Sequence, residues 1–214
     1  MRHSKNPPET PPAGRSEDER ALLLHELDHR VKNNLQLIAS LVMLQMRRTE
    51  EPAVREALGS MLERLNAIGI VHRRLFESEE LAQFDVADFL RDLATDLVDA
   101  SHADIALELD LQPVAVALQK AAPFALLLNE LISNAVRHAF PDGPGSLSIK
   151  IVKLPGNFRI EIRDDGVGLR DSGEISGFGR TIVDLLSRQL QAQVTWEDAQ
   201  PGVRVCVTLP VGGD

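Results

Sequence analysis

Two long apolar stripes in the first third of the chain leave little freedom in how it folds. Leu24, Leu27, Val31, Leu35, Ile38 and Val42, with Gln45 extending the row, recur at spacings of three and four residues. That period puts them on one face of an amphipathic helix beginning near Leu22. A second stripe starts at about Ala53 and runs through Leu58, Met61 or Leu62, Leu65, Ile68, Val71 or His72, and Leu75. Between them, Thr49, Glu50, Glu51 and Pro52 turn the chain, and Pro suits the first turn of the new helix. Two such helices on a short connection form an antiparallel hairpin. A lone hairpin cannot cover both stripes, so a homodimeric four-helix bundle is expected.

Beyond the hairpin the pattern shortens and mixes. Residues 84–98 read as an amphipathic helix, residues 105–111 alternate like a half-buried strand, and residues 120–139 are again helical. Residues 147–152 and 158–163 alternate with period two around the turn Leu154-Pro-Gly-Asn157, which predicts a hairpin. A helix over residues 181–190 and strands over 193–197 and 203–209 complete the reading. The fold class is therefore α+β: a helical hairpin, then an α/β sandwich with helices on one face of a mixed, mostly antiparallel sheet. Pro7, Pro8, Pro11 and Pro12 lie among polar residues that cannot build a core. The expected division is a disordered tail or linker over 1–19, the hairpin over 20–80 and the sandwich over 81–214.

Composition removes several functions. With 23 Lys and Arg against 32 Asp and Glu, a net charge of −9, the chain lacks the broad positive footprint of a duplex-DNA binder. Aromatics at 4%, with no Tyr, supply no base-stacking platform, so no nucleic-acid partner is expected. Cys206 is the only cysteine, which excludes an intramolecular disulfide and a Cys-rich zinc site. No signal-peptide pattern is visible and no run approaches the roughly 20 apolar residues of a membrane helix, so a soluble cytoplasmic protein is expected.

Three groups of residues carry candidate chemistry. Glu130 and Asn134 stand four apart on one helix face, where a carboxylate can orient a nucleophile and an amide oxygen can ligate a hard cation. Arg137, one turn on, can reach a phosphate. Asp164-Asp-Gly-Val-Gly168 follows a strand: Gly166 and Gly168 permit a tight turn near a ligand, and the carboxylate can accept a hydrogen bond from an amino group such as that of adenine. Gly177-Phe-Gly179 then opens a helix, whose free N–H groups form an anion site.

The segment E-L-D-H-R-V-K-N-N-L-Q over residues 26–36 closely resembles the phosphoacceptor box of sensor histidine kinases of the HisKA_2 class, relatives of the HWE kinases. The resemblance continues in order through N-E-L-I-S-N-A at 129–135, D-D-G-V-G at 164–168 and G-F-G at 177–179, which are similar to the N, G1 and G2 boxes of the Bergerat (GHKL) ATP-binding fold. It covers about residues 20–210. It implies a dimerisation and histidine-phosphotransfer hairpin followed by a catalytic ATP-binding domain, with ATP and Mg²⁺ as cofactors and a response-regulator receiver domain as partner. His29 is then the phosphoacceptor, with His25 one turn earlier as the decoy. Asn134 holds Mg²⁺, Asp164 reads the adenine amino group, Gly166 and Gly168 shape the pocket edge, and Gly177 and Gly179 let the lid close. The base assisting His29 is left open between Asp28, the nearest carboxylate, and Glu130, because Arg30 stands where many histidine kinases are acidic. Asn33, at i+4 from His29, can position water against phosphohistidine or a partner's phosphoaspartate.

Two departures from the family pattern keep a second function open. Only eight residues, 169–176, separate the two glycine boxes, and Arg180 occupies a usually aliphatic position. Arg180 either contacts a phosphate or marks a pocket drifting from ATP use. In the second case the chain is a dimeric histidine phosphotransferase with a degenerate ATP domain, relaying phosphate between receiver domains.

Overall fold

A computed structural model describes residues 14–77, 83–101, 103–141, 143–168 and 178–210. The hairpin is built from α1 (Gly14–Arg48) and α2 (Pro52–Glu77), joined by three residues, with Pro52 opening α2 as expected. Helix α1 begins before Leu22, so residues 14–19 are helical rather than part of a tail; residues 1–13 of that expected tail lie outside the described residues. Of the described stripe residues on α1, Val42 is buried at 7% exposure, while Val31 and Ile38 remain exposed. Leu37 and Leu41 are 61% and 55% exposed, and Met43, Leu44, Val54 and Met61 join them, so a single hairpin leaves an extended apolar surface uncovered.

The remaining elements are β1 (Gln83–Asp85), α3 (Val86–Ser101), β2 (Ile105–Leu111), β3 (Ala115–Ala117), α4 (Ala121–His138), β4 (Gly145–Leu154), β5 (Asn157–Asp164), α5 (Phe178–Leu190), β6 (Gln193–Asp198) and β7 (Val203–Pro210). Five strands form one sheet in the order β2-β4-β5-β7-β6, with β2 and β4 parallel and the other pairs antiparallel. Leu147, Ile149 and Ile151 of β4, Phe158, Ile160 and Ile162 of β5, and Val205, Val207 and Leu209 of β7 all point into one core. Phe124, Leu127, Leu128, Leu131 and Ile132 of α4 pack on them, with α3 and α5 alongside. The opposite sheet face is polar: Arg204 lies 3.3 Å from Glu161 and 3.4 Å from Glu197. Alternation with one wet face is what an antiparallel sheet covered on one side requires. Pro155 and Gly156 form the two-residue turn between β4 and β5, with Gly156 at φ +71°.

One expected element begins differently. Phe84 lies in β1, paired antiparallel with β3, and the helix starts at Val86. Asp85 Oδ1 accepts a hydrogen bond from the Asp88 N–H at 3.0 Å, a side-chain cap that fixes this start. Phe84 still joins the core, with its ring centroid 5.2 Å from that of Phe89.

Candidate functional site

The site is assembled at one end of the sheet from α4, the turn after β5 and the start of α5. Asp164, the last residue of β5, is 5% exposed. Its Oδ1 accepts the N–H of Gly166 at 3.0 Å and of Val203 at 3.2 Å. Burial pushes the Asp164 carboxyl above its ordinary value of 3.8, and these backbone hydrogen bonds offset only part of that shift. Both bonds fall on Oδ1, so Oδ2 is the oxygen suited to a ligand amino group.

Three glycines make this geometry possible. A Cβ on Gly166 would lie 2.1 Å from the Ala139 carbonyl oxygen, and the Val167 N–H donates to that same oxygen at 3.0 Å. Thus the β5 turn is pressed against the C-terminal end of α4. Gly168 has φ +74°, in the left-handed region that glycine favours. The second tight contact comes from Gly202, which the motif reading missed. It has φ +89°, and a Cβ there would lie 1.9 Å from the Asp164 carbonyl oxygen. The signal in the sequence is a Pro-Gly pair before the last strand, a turn pattern that does not by itself point to Asp164. Gly202→Ala is expected to destabilise the fold by more than about 2 kcal/mol and displace Asp164, since it combines backbone strain with a clash. Thermal unfolding together with nucleotide titration measures both effects.

On the other wall, a Cβ on Gly179, at the start of α5, would lie 3.3 Å from Glu130 Oε2 and 3.8 Å from Asn134 Nδ2. Glu130, Asn134 and Gly179 therefore meet in space, although 45 residues separate the last two in sequence. Gly177 and the short connection over 169–176 lie outside the described residues. The amide oxygen of Asn134, facing backbone at a helix start, is a ligand of the kind that suits a hard cation and the phosphates it binds. The residues present thus fit Mg²⁺ and a nucleotide.

The remaining expected residues are placed differently. Arg137 donates through Nη1 to Ser60 Oγ at 2.7 Å and through Nη2 to Glu63 on α2, so it is committed to the hairpin rather than free for a phosphate. Ser133 Oγ also donates to Glu63, at 2.7 Å. Glu130 is gripped by Arg64 of α2, whose Nε and Nη2 donate to its two carboxylate oxygens at 2.6 and 2.8 Å. The Arg180 guanidinium lies over the Trp196 ring, 5.9 Å from its centroid, which gives it a packing role on the edge strand. These partners are long-range, so no sequence spacing announced them. Asn33 is exposed on α1. His29 lies within the α1 helix, but its side chain, like those of His25 and Asp28, is outside the described residues. Arg30 pairs with Glu26 at 2.6 Å, one turn back. Among the described residues no helix is long and apolar enough to cross a membrane.

Comparison with known proteins agrees with this architecture. The HisKA_2 family, described as histidine kinase, matches residues 26–101, and the HATPase_c family of histidine kinase-, DNA gyrase B- and HSP90-like ATPases matches residues 119–213. The sensor histidine kinase PdtaS of Mycobacterium tuberculosis is 30% identical over 198 residues, covering 88% of this chain and 39% of the relative. Blue-light-activated histidine kinase 2 of Erythrobacter litoralis is 25% identical over 199 residues, covering 88% of this chain and 57% of the relative. The chain thus spans between about two-fifths and three-fifths of the length of these two relatives. Among solved structures, the histidine kinase domain of the Erythrobacter litoralis EL346 blue-light activated kinase superposes with a TM-score of 0.67 at 24% identity, covering 94% of this chain and 95% of that one, a likeness of fold. With a HisKA_2 hairpin running into an ATP-binding HATPase_c sandwich, the chain belongs to the histidine kinases.

Proposed function

We propose that this chain is the kinase core of a two-component system, an ATP-dependent protein-histidine kinase that phosphorylates its own His29 and passes the phosphoryl group to an aspartate of a response-regulator receiver domain. The observation that carries this reading is the buried Asp164, held by the Gly166 and Val203 N–H groups with one oxygen left for adenine. In this reading residues 20–80 dimerise and carry His29, residues 81–214 bind ATP, and the reaction takes place in the cytoplasm. The exposed Leu37, Leu41 and Leu44 favour a homodimer, since pairing of two hairpins would remove them from water.

A neutral ring nitrogen of His29 attacks the γ-phosphorus, the bond from phosphorus to the β,γ-bridging oxygen breaks, and ADP leaves. The receiver carboxylate then attacks phosphorus, and the N–P bond breaks to return His29. Asn134 would hold Mg²⁺, which supplies charge neutralisation at the phosphates. In this reading Gly166 and Gly168 shape the adenine edge of the pocket, Gly179 brings the start of α5 to the phosphates, and Gly177 would act with it in closing the lid. On the same reading Glu130 is the base for the His29 proton once released from Arg64, and Asn33, at i+4 from His29, orients water at phosphohistidine.

Titration with labelled ATP, with and without Mg²⁺, followed by assay of chain-bound phosphate, tests the reading. Mg²⁺-dependent binding and an acid-labile, alkali-stable phosphoryl group are expected. A chain that binds no ATP, yet accepts phosphate from a phosphorylated receiver, would be a phosphotransferase instead.

A further inference from the structure

Two of the three polar residues that α4 offers to a reaction, Glu130 and Arg137, are held by the same two-residue step of α2. Arg64 grips Glu130 through two parallel hydrogen bonds, with the two side chains only 18% and 6% exposed. Glu63, its neighbour, accepts from Arg137 and from Ser133, while Ser60 accepts from Arg137. The charges alternate across the contact, Glu63 and Arg64 facing Arg137 and Glu130, so register is specified as well as attraction.

This arrangement keeps Glu130 away from the level of His29 on the same chain. The hairpin connection is three residues long, so Arg48 and Pro52 stand roughly level. Arg64 then lies about 18 Å from the connection along the helix axis and His29 about 28 Å, at a rise of about 1.5 Å per residue. Glu130, bound at the level of Arg64, is held about 10 Å short of His29 along the hairpin, with both carboxylate oxygens already occupied. Gly179 sits directly against this carboxylate, so the start of α5 is packed onto the contact as well.

We propose that the Glu63–Arg64 step of α2 is an autoinhibitory latch, which holds the ATP-binding sandwich low on the hairpin and keeps Glu130 from acting at His29 until the contact opens. Resting on the kinase reading above, it adds a control point within the chain itself. The latch is reversible because each of its four charged groups can be resolvated on opening, and a forked Arg pair is specific without being irreplaceable.

The double variant Glu63→Gln/Arg64→Gln in the full chain removes the latch charges without touching α4. The initial rate of His29 phosphorylation is expected to rise about tenfold, equivalent to about 1.4 kcal/mol of lost closed-state preference. In parallel, spin labels at Glu56→Cys and Arg188→Cys, in a Cys206→Ser background diluted with unlabelled protein, report the distance between α2 and α5. The latch requires a narrow distribution that broadens and lengthens in the double variant. An unchanged distribution overturns it, as does a lengthened distribution with an unchanged or slower rate. Arg64→Lys keeps the charge but not the fork, so it should shift both readouts less and in the same direction, a control if the double variant is poorly folded. If the parent chain itself fails to phosphorylate, the kinase reading falls, and the distance measurement alone decides whether these charges hold α2 on α4.

Discussion

His29→Gln is expected to abolish incorporation of phosphate from ATP, by more than about a thousandfold, while His25→Gln retains it. The two histidines are one turn apart on α1, so the pair separates the assigned nucleophile from helical context. Glutamine keeps the length and polarity of the side chain and removes the nucleophilic ring nitrogen. Helix content and dimerisation should therefore be unaffected, which circular dichroism and light scattering check. The chemical signature is equally specific: a phosphoramidate is lost in acid and survives alkali, the reverse of an acyl phosphate in alkali and unlike a serine phosphate in acid. Phosphate retained in His29→Gln would overturn the assignment, wherever it was found.

Asp164→Asn should separate binding from stability in an unusual direction. In the carboxylate form, Oδ2 accepts from the adenine amino group; in the amide, a donor faces a donor. Losing one charge-assisted bond and burying that mismatch costs about 3 kcal/mol, or about a hundredfold in ATP affinity. The fold should not suffer equally, because the amide oxygen can still accept from Gly166 and Val203. The carboxyl is raised above 3.8 in the folded chain, chiefly by desolvation, so ionisation at neutral pH works against folding. Its stabilising contribution is complete below the unfolded value and is lost as pH rises through the folded one. Asp164→Asn should therefore melt at or above the parent at pH 7, with the difference closing as pH falls below about 4. The same protonation should weaken ATP binding by the parent as pH falls through the raised value. A variant that melts well below the parent at pH 7 would mean that the carboxylate supports the fold rather than the ligand.

Much of the architecture was legible because it rests on short-range periodicity. The stripes around Leu35 and Leu65 specify helices, and the alternation of 147–152 and 158–163 specifies strands. Pro52 and the Pro155-Gly156 pair mark the turns, since their backbone limits act locally. Strand β1 escaped because three residues are too few to display a period, and its pairing partner β3 lies about thirty residues away. The same limit applies to the site. Glu130, Asn134, Asp164, Gly166 and Gly179 could be named from motifs, since each motif is contiguous and carries its own chemistry.

Whether those residues were free to act was decided only by packing. Arg137 and Glu130 look alike as polar residues on a helix face, yet both are committed to α2, across 74 and 66 residues respectively. Arg180 follows the second glycine box in sequence but is stacked on Trp196 in space, and Gly202 supports Asp164 from 38 residues away. Local spacing determines which side chains share an element and a face. Which charges meet depends on how two elements dock, and that is set by the volume and shape of whole surfaces, a property that no single motif contains.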